Sequence, residues 1–403
     1  MLSKCIRRGF VPLWIALIAG CATFREFPPL TLNPAVRLID RDAQTTPEDS
    51  EIQQSSASDD GFSRTKQILV LSGGGLNGAF VAGVLNGWSE SGNRPRYDMV
   101  TGVSTGALIA PFAFLGSDYD GDLKRLYASQ RGMKIYRPYS LLALPWSNAF
   151  ADSEPLRQRI ATEVTADMLQ KIAHEHRQGR RLYVGTTNLD SQQFVVWDLG
   201  AIAAGNDPNK LPLFRNILLA SCSVPGLLPP IQINIDVDGK RYTELHADGG
   251  VSNSLFLLPQ MLGLGDGRST DPAEKPSTVY VIVAGKLAPD RRPVDGGILR
   301  VSDASLRGLM QAQMESDLKR AYVLAQRTGA DFRLSAVPQH ATINLDSMNG
   351  SAQTMRDLFE LGRTMGESET LWRHEPPGIA PAEWPVPRSG VRFSQTDDRD
   401  VRS

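Results

Sequence analysis

Residues 67–78 read Gln67-Ile68-Leu69-Val70-Leu71-Ser72-Gly73-Gly74-Gly75-Leu76-Asn77-Gly78. A short β-rich apolar run that ends in glycines predicts a buried strand of a parallel sheet over 67–71. Beyond the glycines, residues 79–88 carry apolar side chains at helical spacing. The unit is strand, glycine turn, helix, and it recurs at once. Residues 99–103 are strand-like, Gly102-Val103-Ser104-Thr105-Gly106 turns the chain, and 107–115 is helical again. Further strands are expected at 181–186, 194–197, 242–246 and 278–283, and helices at 154–160, 166–176, 305–327 and 355–372. Strands alternating with helices predict an α/β domain with a mainly parallel central sheet flanked by helices. No repeat at solenoid spacing is present.

Outside that domain the texture differs. Residues 1–20 begin with Lys4, Arg7 and Arg8 and continue into an apolar stretch too short to span a bilayer comfortably, the build of a secretory signal. It closes in Leu17-Ile18-Ala19-Gly20-Cys21, which resembles a bacterial lipobox; the alternative is a signal anchor with an incidental cysteine. The lipobox resemblance implies cleavage before Cys21, acylation of Cys21 and an N-terminal lipid anchor in the membrane. With Ala22 and Thr23 following, it also implies export to the outer membrane of a Gram-negative cell. Residues 21–66 are Pro-, Ser- and acid-rich without apolar periodicity, a lipidated N-terminus and tether. The domain is expected over 67–372, with its motifs in 67–256, and 373–403 is a Pro-rich irregular tail.

The 403 residues carry 43 Lys and Arg against 44 Asp and Glu, a net charge of -1, without the basic excess of a nucleic-acid binder. Losing residues 1–20 removes three basic residues and no acids, leaving 40 against 44. Of the three cysteines, Cys5 leaves with the signal and Cys21 carries lipid, so Cys222 is the remaining thiol and no internal disulfide is expected. Five histidines and three cysteines leave little for a metal site, and Asp236-Val237-Asp238-Gly239 is too short for a calcium loop. No metal and no cofactor are expected.

Three motifs carry chemistry. Gly73-Gly74-Gly75-Leu76-Asn77-Gly78 formally matches G-x-G-x-x-G, with Asp98 twenty residues on. A dinucleotide fold needs that acid at the end of its second strand, whereas Asp98 precedes the 99–103 run. The alternative use of glycines at a helix start is to aim backbone N–H groups at a developing negative charge, an oxyanion hole. Gly102-Val103-Ser104-Thr105-Gly106 is a G-x-S-x-G elbow that lifts a serine to a helix N-terminus. His246-Ala247-Asp248-Gly249-Gly250 closes the 242–246 strand. Ser104 needs a base. His246 shares a strand face with Asp248 and is a possible neighbour of the site, while Asp248 at a strand end could approach the serine directly. Otherwise Asp248-Gly249 is a turn. The other histidines, His174, His176, His340 and His374, lie in a polar helical stretch or late in the chain.

These motifs in this order resemble the patatin-like phospholipase family. Two further segments carry the resemblance: Thr187-Asn188-Leu189-Asp190, and Ala220-Ser221-Cys222-Ser223-Val224-Pro225-Gly226-Leu227-Leu228-Pro229-Pro230. It implies a three-layer fold and a Ser–Asp dyad without histidine: Ser104 as nucleophile, Asp248 as base, and Gly73, Gly74 and Gly75 supplying the oxyanion hole. Gly78, Gly102, Gly106, Gly249 and Gly250 support the motifs. Asn77 stands where the family usually has Arg or Lys, which removes a positive charge beside the glycine loop. Cys222 stands at a small-residue position and reads as a buried hydrophobe.

The implied activity is hydrolysis of a phospholipid or other acyl-ester lipid, of phospholipase A or lysophospholipase type, through an acyl-serine. A general esterase or thioesterase on the same site, and a catalytically silent lipoprotein that binds lipid or a protein, are the alternatives. The apolar stretch 139–150, with Pro145 and Trp146, is either a buried connector or a route for lipid.

Overall fold

The computed structural model describes residues 65–129, 135–140, 147–237, 240–264, 276–290, 293–294, 296–343, 345, 351–368 and 370–379. The expected signal, Cys21 and nearly all of the tether lie outside the described residues, as does the tail from 380 onward.

The chain opens with β1 (Gln67–Leu71), α1 (Gly78–Glu90), β2 (Met99–Val103), α2 (Thr105–Leu115) and α3 (Asp120–Tyr127). A short ribbon of β3 (Arg137–Pro138) and β4 (Ala151–Asp152) leads to α4 (Glu154–Glu163) and α5 (Ala166–Arg177). Then follow β5 (Arg181–Asn188), β6 (Gln193–Asp198), α6 (Leu199–Ala204), α7 (Lys210–Ser221), β7 (Ile231–Val237) and β8 (Lys240–Asp248). The last elements are β9 (Thr278–Val283), α8 (Ile298–Arg327), β10 (Asp331–Ala336) and α9 (Ala352–Gly366).

Eight strands form one sheet in the order β10-β9-β1-β2-β5-β8-β7, with β6 on β5 as well. The run from β10 to β5 is parallel; β6, β7 and β8 join antiparallel. The fold is thus mixed α/β, with a mostly parallel central sheet flanked by helices. The central strands are apolar on both faces because helices cover both. Leu69 and Leu71 of β1 enter a core with Phe80, Val84, Ile109 and Phe359, from α1, α2 and α9. Ile68 and Val70, one residue out of phase, enter a second core with Met314, Leu318 and Ala321 of α8. Period-two alternation along one strand therefore feeds two helical layers.

Several elements differ from expectation at their ends. The 355–372 pattern stops as a helix at Gly366, and Arg373 instead makes a bridge with Leu334 of β10. Trp372 was periodic for packing rather than for helix: its ring stands 4.8 Å from that of Trp88 and 5.2 Å from that of Tyr280. Helix α9 crosses α1 closely, since a Cβ on Gly83 would fall 2.0 Å from Phe359 O and one on Gly362 2.2 Å from Phe80 O.

Register decides where the site forms. Residues Tyr183–Asn188 of β5 pair with β6 along one edge. The other edge is shared: β2 takes it as far as Val103↔Gly185, and β8 takes it from Thr186↔Asp248 onward. The end of β2 and the end of β8 therefore meet on one edge of one strand. At the opposite end of β1, Asp98 Oδ2 accepts the Gln67 N–H at 2.7 Å, so this acid ties strand starts together, away from the glycine turn.

Candidate active site

Ser104 follows β2 directly and is the N-cap of α2, with φ 54° and ψ −123°. A positive φ at a non-glycine residue costs about 1–3 kcal/mol and persists only where its surroundings enforce it. The enforcement is visible. A Cβ on Gly102 would lie 2.4 Å from Gly106 O, and one on Gly106 would lie 2.5 Å from Leu71 O. Only glycines let the turn fold back on itself and against the end of β1. The Ser104 N–H donates to Ser221 Oγ at 2.9 Å, and that hydroxyl donates to Gly185 O at 2.7 Å. Ser221, at the end of α7, thus ties the elbow to β5. Gly78 serves the same turn from the other side, because a Cβ there would fall 2.2 Å from Thr105 Oγ1.

Asp248 arrives from β8 and is 4% exposed. Its N–H donates to Ser223 O, and its Oδ1 accepts the Gly250 N–H at 2.7 Å. Gly249 permits the approach: a Cβ would lie 2.7 Å from Gly185 O and 2.9 Å from Val103 Cγ1. Oδ2 is buried without a hydrogen-bond partner. Burial pushes the carboxyl up to about 6, opposed by the Ser104 hydroxyl and the Gly250 N–H. The Ser104 hydroxyl acts on this carboxyl and is therefore its neighbour, although no hydrogen bond between the two is formed.

The glycine loop lies against the serine. A Cβ on Gly73 would come 3.3 Å from Ser104 Cβ, and one on Gly74 would fall 2.2 Å from Ala284 O. Gly75 has φ 57°, in the left-handed region. Ser72 fixes the entry, donating to Gly73 O at 2.8 Å and accepting from Ala284 N at 2.9 Å. One expected donor is corrected here. The Gly73 N–H is spent on Ser254 O at 2.9 Å, so it cannot serve an oxyanion. The amides of Gly74 and Gly75 have no acceptor among the described residues.

His246 is fully buried and engaged elsewhere. Its Nε2 lies 3.0 Å from Glu244 Oε2 and its Nδ1 3.0 Å from Thr186 Oγ1, which also accepts from Trp197 Nε1. It braces β8 against β5, one residue from the shared edge. No histidine among the described residues hydrogen-bonds Ser104 or Asp248. Cys222 is buried, and burial with the Asp248 charge beside it holds its thiol well above the ordinary range, hence protonated. In the 139–150 stretch Phe150 is 62% exposed, its N–H held by Gly226 O, while residues 141–146 lie outside the described residues.

Sequence reasoning missed one residue that shapes this site: Ser221 lies in a motif block, but its spacing from Ser104 gives no sign that its hydroxyl holds the elbow.

The family model for patatin-like phospholipases matches residues 69–259. No curated protein sequence matches the chain. Among solved structures, the crystal structure of VipD from Legionella pneumophila is similar, with 13% identity, a TM-score of 0.33, and coverage of 75% of this chain and 67% of that one. Glycine loop, serine elbow and Asp-Gly-Gly turn all fall inside the stretch, residues 69–259, that matches the patatin-like phospholipase family model.

Proposed function

We propose that the chain hydrolyses acyl esters of lipids through an acyl-Ser104 intermediate, with Asp248 as general base. The observation that carries this reading is a buried Asp248 carboxyl with a partnerless oxygen, acted on by the hydroxyl of a serine held in a strained elbow. A carboxyl with a pKa near 6 is ionised at neutral pH yet basic enough to take a proton in the transition state.

In the first half-reaction Ser104 Oγ attacks the ester carbon while its proton passes to Asp248 Oδ2. The carbonyl oxygen becomes an oxyanion facing the Gly74 and Gly75 amides, which are free to donate. Collapse breaks the bond to the alcohol, which leaves with the proton from Asp248. A water then gives its proton to Asp248 and attacks the acyl carbon, and the released Ser104 recovers its hydrogen. The neutral Asn77 leaves no side-chain cation on the glycine loop, so this reading places recognition on the ester and acyl chain rather than on a phosphate head group.

The proposal extends to location: acylation at Cys21 would tether the domain to a membrane and so to its substrate. Mass measurement of the mature N-terminal peptide tests that part, through the presence or absence of acyl chains on Cys21. For the reaction, Ser104→Ala should fold normally and lose ester hydrolysis. Turnover retained in that variant contradicts the assignment.

A further inference from the structure

One of the two catalytic loops is fastened directly, and the glycine loop through it, to a buried carboxylate on a helix that lies beyond the family-matched stretch. Asp317, in the middle of α8, is 3% exposed. Its Oδ2 accepts the Ser254 N–H at 2.8 Å. Its Oδ1 accepts from Asn253 Nδ2 at 2.9 Å and from Gln313 Nε2 at 3.1 Å. Ser254 and Asn253 end the turn that begins at Asp248. The carbonyl of the same Ser254 accepts the Gly73 N–H at 2.9 Å. Gly73 in turn lies against Ser104 and immediately precedes the two amides that are free to donate.

The rest of that turn is strapped to the sheet. Thr187 Oγ1 donates to Ser252 Oγ at 3.1 Å, and Thr101 Oγ1 donates to Phe256 O at 3.0 Å. Between these two straps, Asn253 and Ser254 have Asp317 as their outside anchor. A buried carboxylate facing three N–H donors is a costly arrangement to place in a helix, and burial holds its pKa above the ordinary range. Such a group persists where its hydrogen bonds position something.

We infer that Asp317 is a positioning residue for the acyl-transfer site, holding Ser254 so that its carbonyl sets the glycine loop, and with it the oxyanion donors, against Ser104. This rests on the acyl-Ser104 reading. The α8 carboxylate touches neither the ester nor Ser104; it acts through Ser254 and Gly73. Donor geometry is where small displacements are expensive, since a shift of about 1 Å can cost about 100-fold in rate.

The test compares Asp317→Ala, Asp317→Asn and Gln313→Ala with wild type, using a soluble p-nitrophenyl ester and active sites titrated with a fluorophosphonate. Asn can accept from Ser254 but sets its NH2 against two other donors. The expected kcat per titrated site is about 100-fold lower in Asp317→Ala and about 10-fold lower in Asp317→Asn. KM should stay within about 3-fold, and the acid limb set by Asp248 should not move. Gln313→Ala spares both loop bonds and should stay within about 3-fold of wild type. Hydrogen exchange gives an activity-independent readout: the Gly73 amide should exchange faster in Asp317→Asn. Wild-type kcat per titrated site with only a lowered Tm, or an unchanged Gly73 amide, overturns the proposal. If Asp317→Ala fails to fold, Asp317→Asn decides alone. A wild-type enzyme that neither turns over nor labels refutes the functional reading instead, and exchange at Gly73 still decides the coupling.

Discussion

Ser221 accepts the backbone N–H of Ser104 at 2.9 Å and passes its own hydrogen to Gly185 O at 2.7 Å, 117 residues along the chain from the elbow it holds. One hydroxyl thus satisfies a donor and an acceptor that are both buried, at the place where the backbone of Ser104 is forced to a positive φ. Removing it by Ser221→Ala leaves two orphaned backbone groups, at about 1–3 kcal/mol each. Denaturant unfolding should show a loss of about 2–5 kcal/mol, and kcat should fall at temperatures where the variant is still folded.

The Asp248 carboxyl makes stability and activity run in opposite directions with pH. Its folded pKa of about 6 lies above the ordinary 3.8, so the fold favours the protonated form. Stability from this group is full below pH 3.8 and is lost as pH rises through 6, about 3 kcal/mol for a shift of about two units. Asp248→Asn cannot ionise. It should be more stable than wild type by about 1–3 kcal/mol at pH 8, with the gap closing towards pH 4, and should lack turnover. Wild-type kcat/KM should rise with an acid limb near pH 6.

His246 separates a dyad from a triad. Its ring is fully engaged with Glu244 and Thr186, so His246→Gln should lower stability while keeping the acid limb of the pH profile where it is. A limb that moves or vanishes in that variant makes the imidazole a member of the site.

The glycine loop gives a contrast between position and residue type. Gly74→Ala drives a Cβ to 2.2 Å from Ala284 O and must displace the loop, with kcat falling by about 100-fold or more. Gly92→Ala, at φ +73° with open space around it, carries backbone strain alone and should cost stability without lowering kcat.

The parts of this site that were legible in the sequence are the local ones. A strand, a glycine turn and a helix lie within a dozen residues of each other, and the central strands are continuous apolar runs because helices cover both faces. The two edge strands carry the other strand signal, apolar–polar alternation, and a search for continuous apolar runs passes over them. In β7, Ile231 and Ile233 alternate with exposed Gln232 and Asn234, and in β10, Phe332 and Leu334 alternate with Asp331 and Arg333. The engagement of the Gly73 amide was equally hidden, since it depends on a carbonyl at Ser254 brought alongside by register. Ser221 and Asp317 act over separations of 117 and 63 residues, and no spacing rule reaches that far.

The most direct test is where a fluorophosphonate attaches. Peptide mass measurement after labelling should find the adduct on Ser104 in the wild type. It should be absent in Ser104→Ala and form at least about 100-fold more slowly in Asp248→Asn. An adduct on another serine, or ester turnover that survives in Ser104→Ala, contradicts the account.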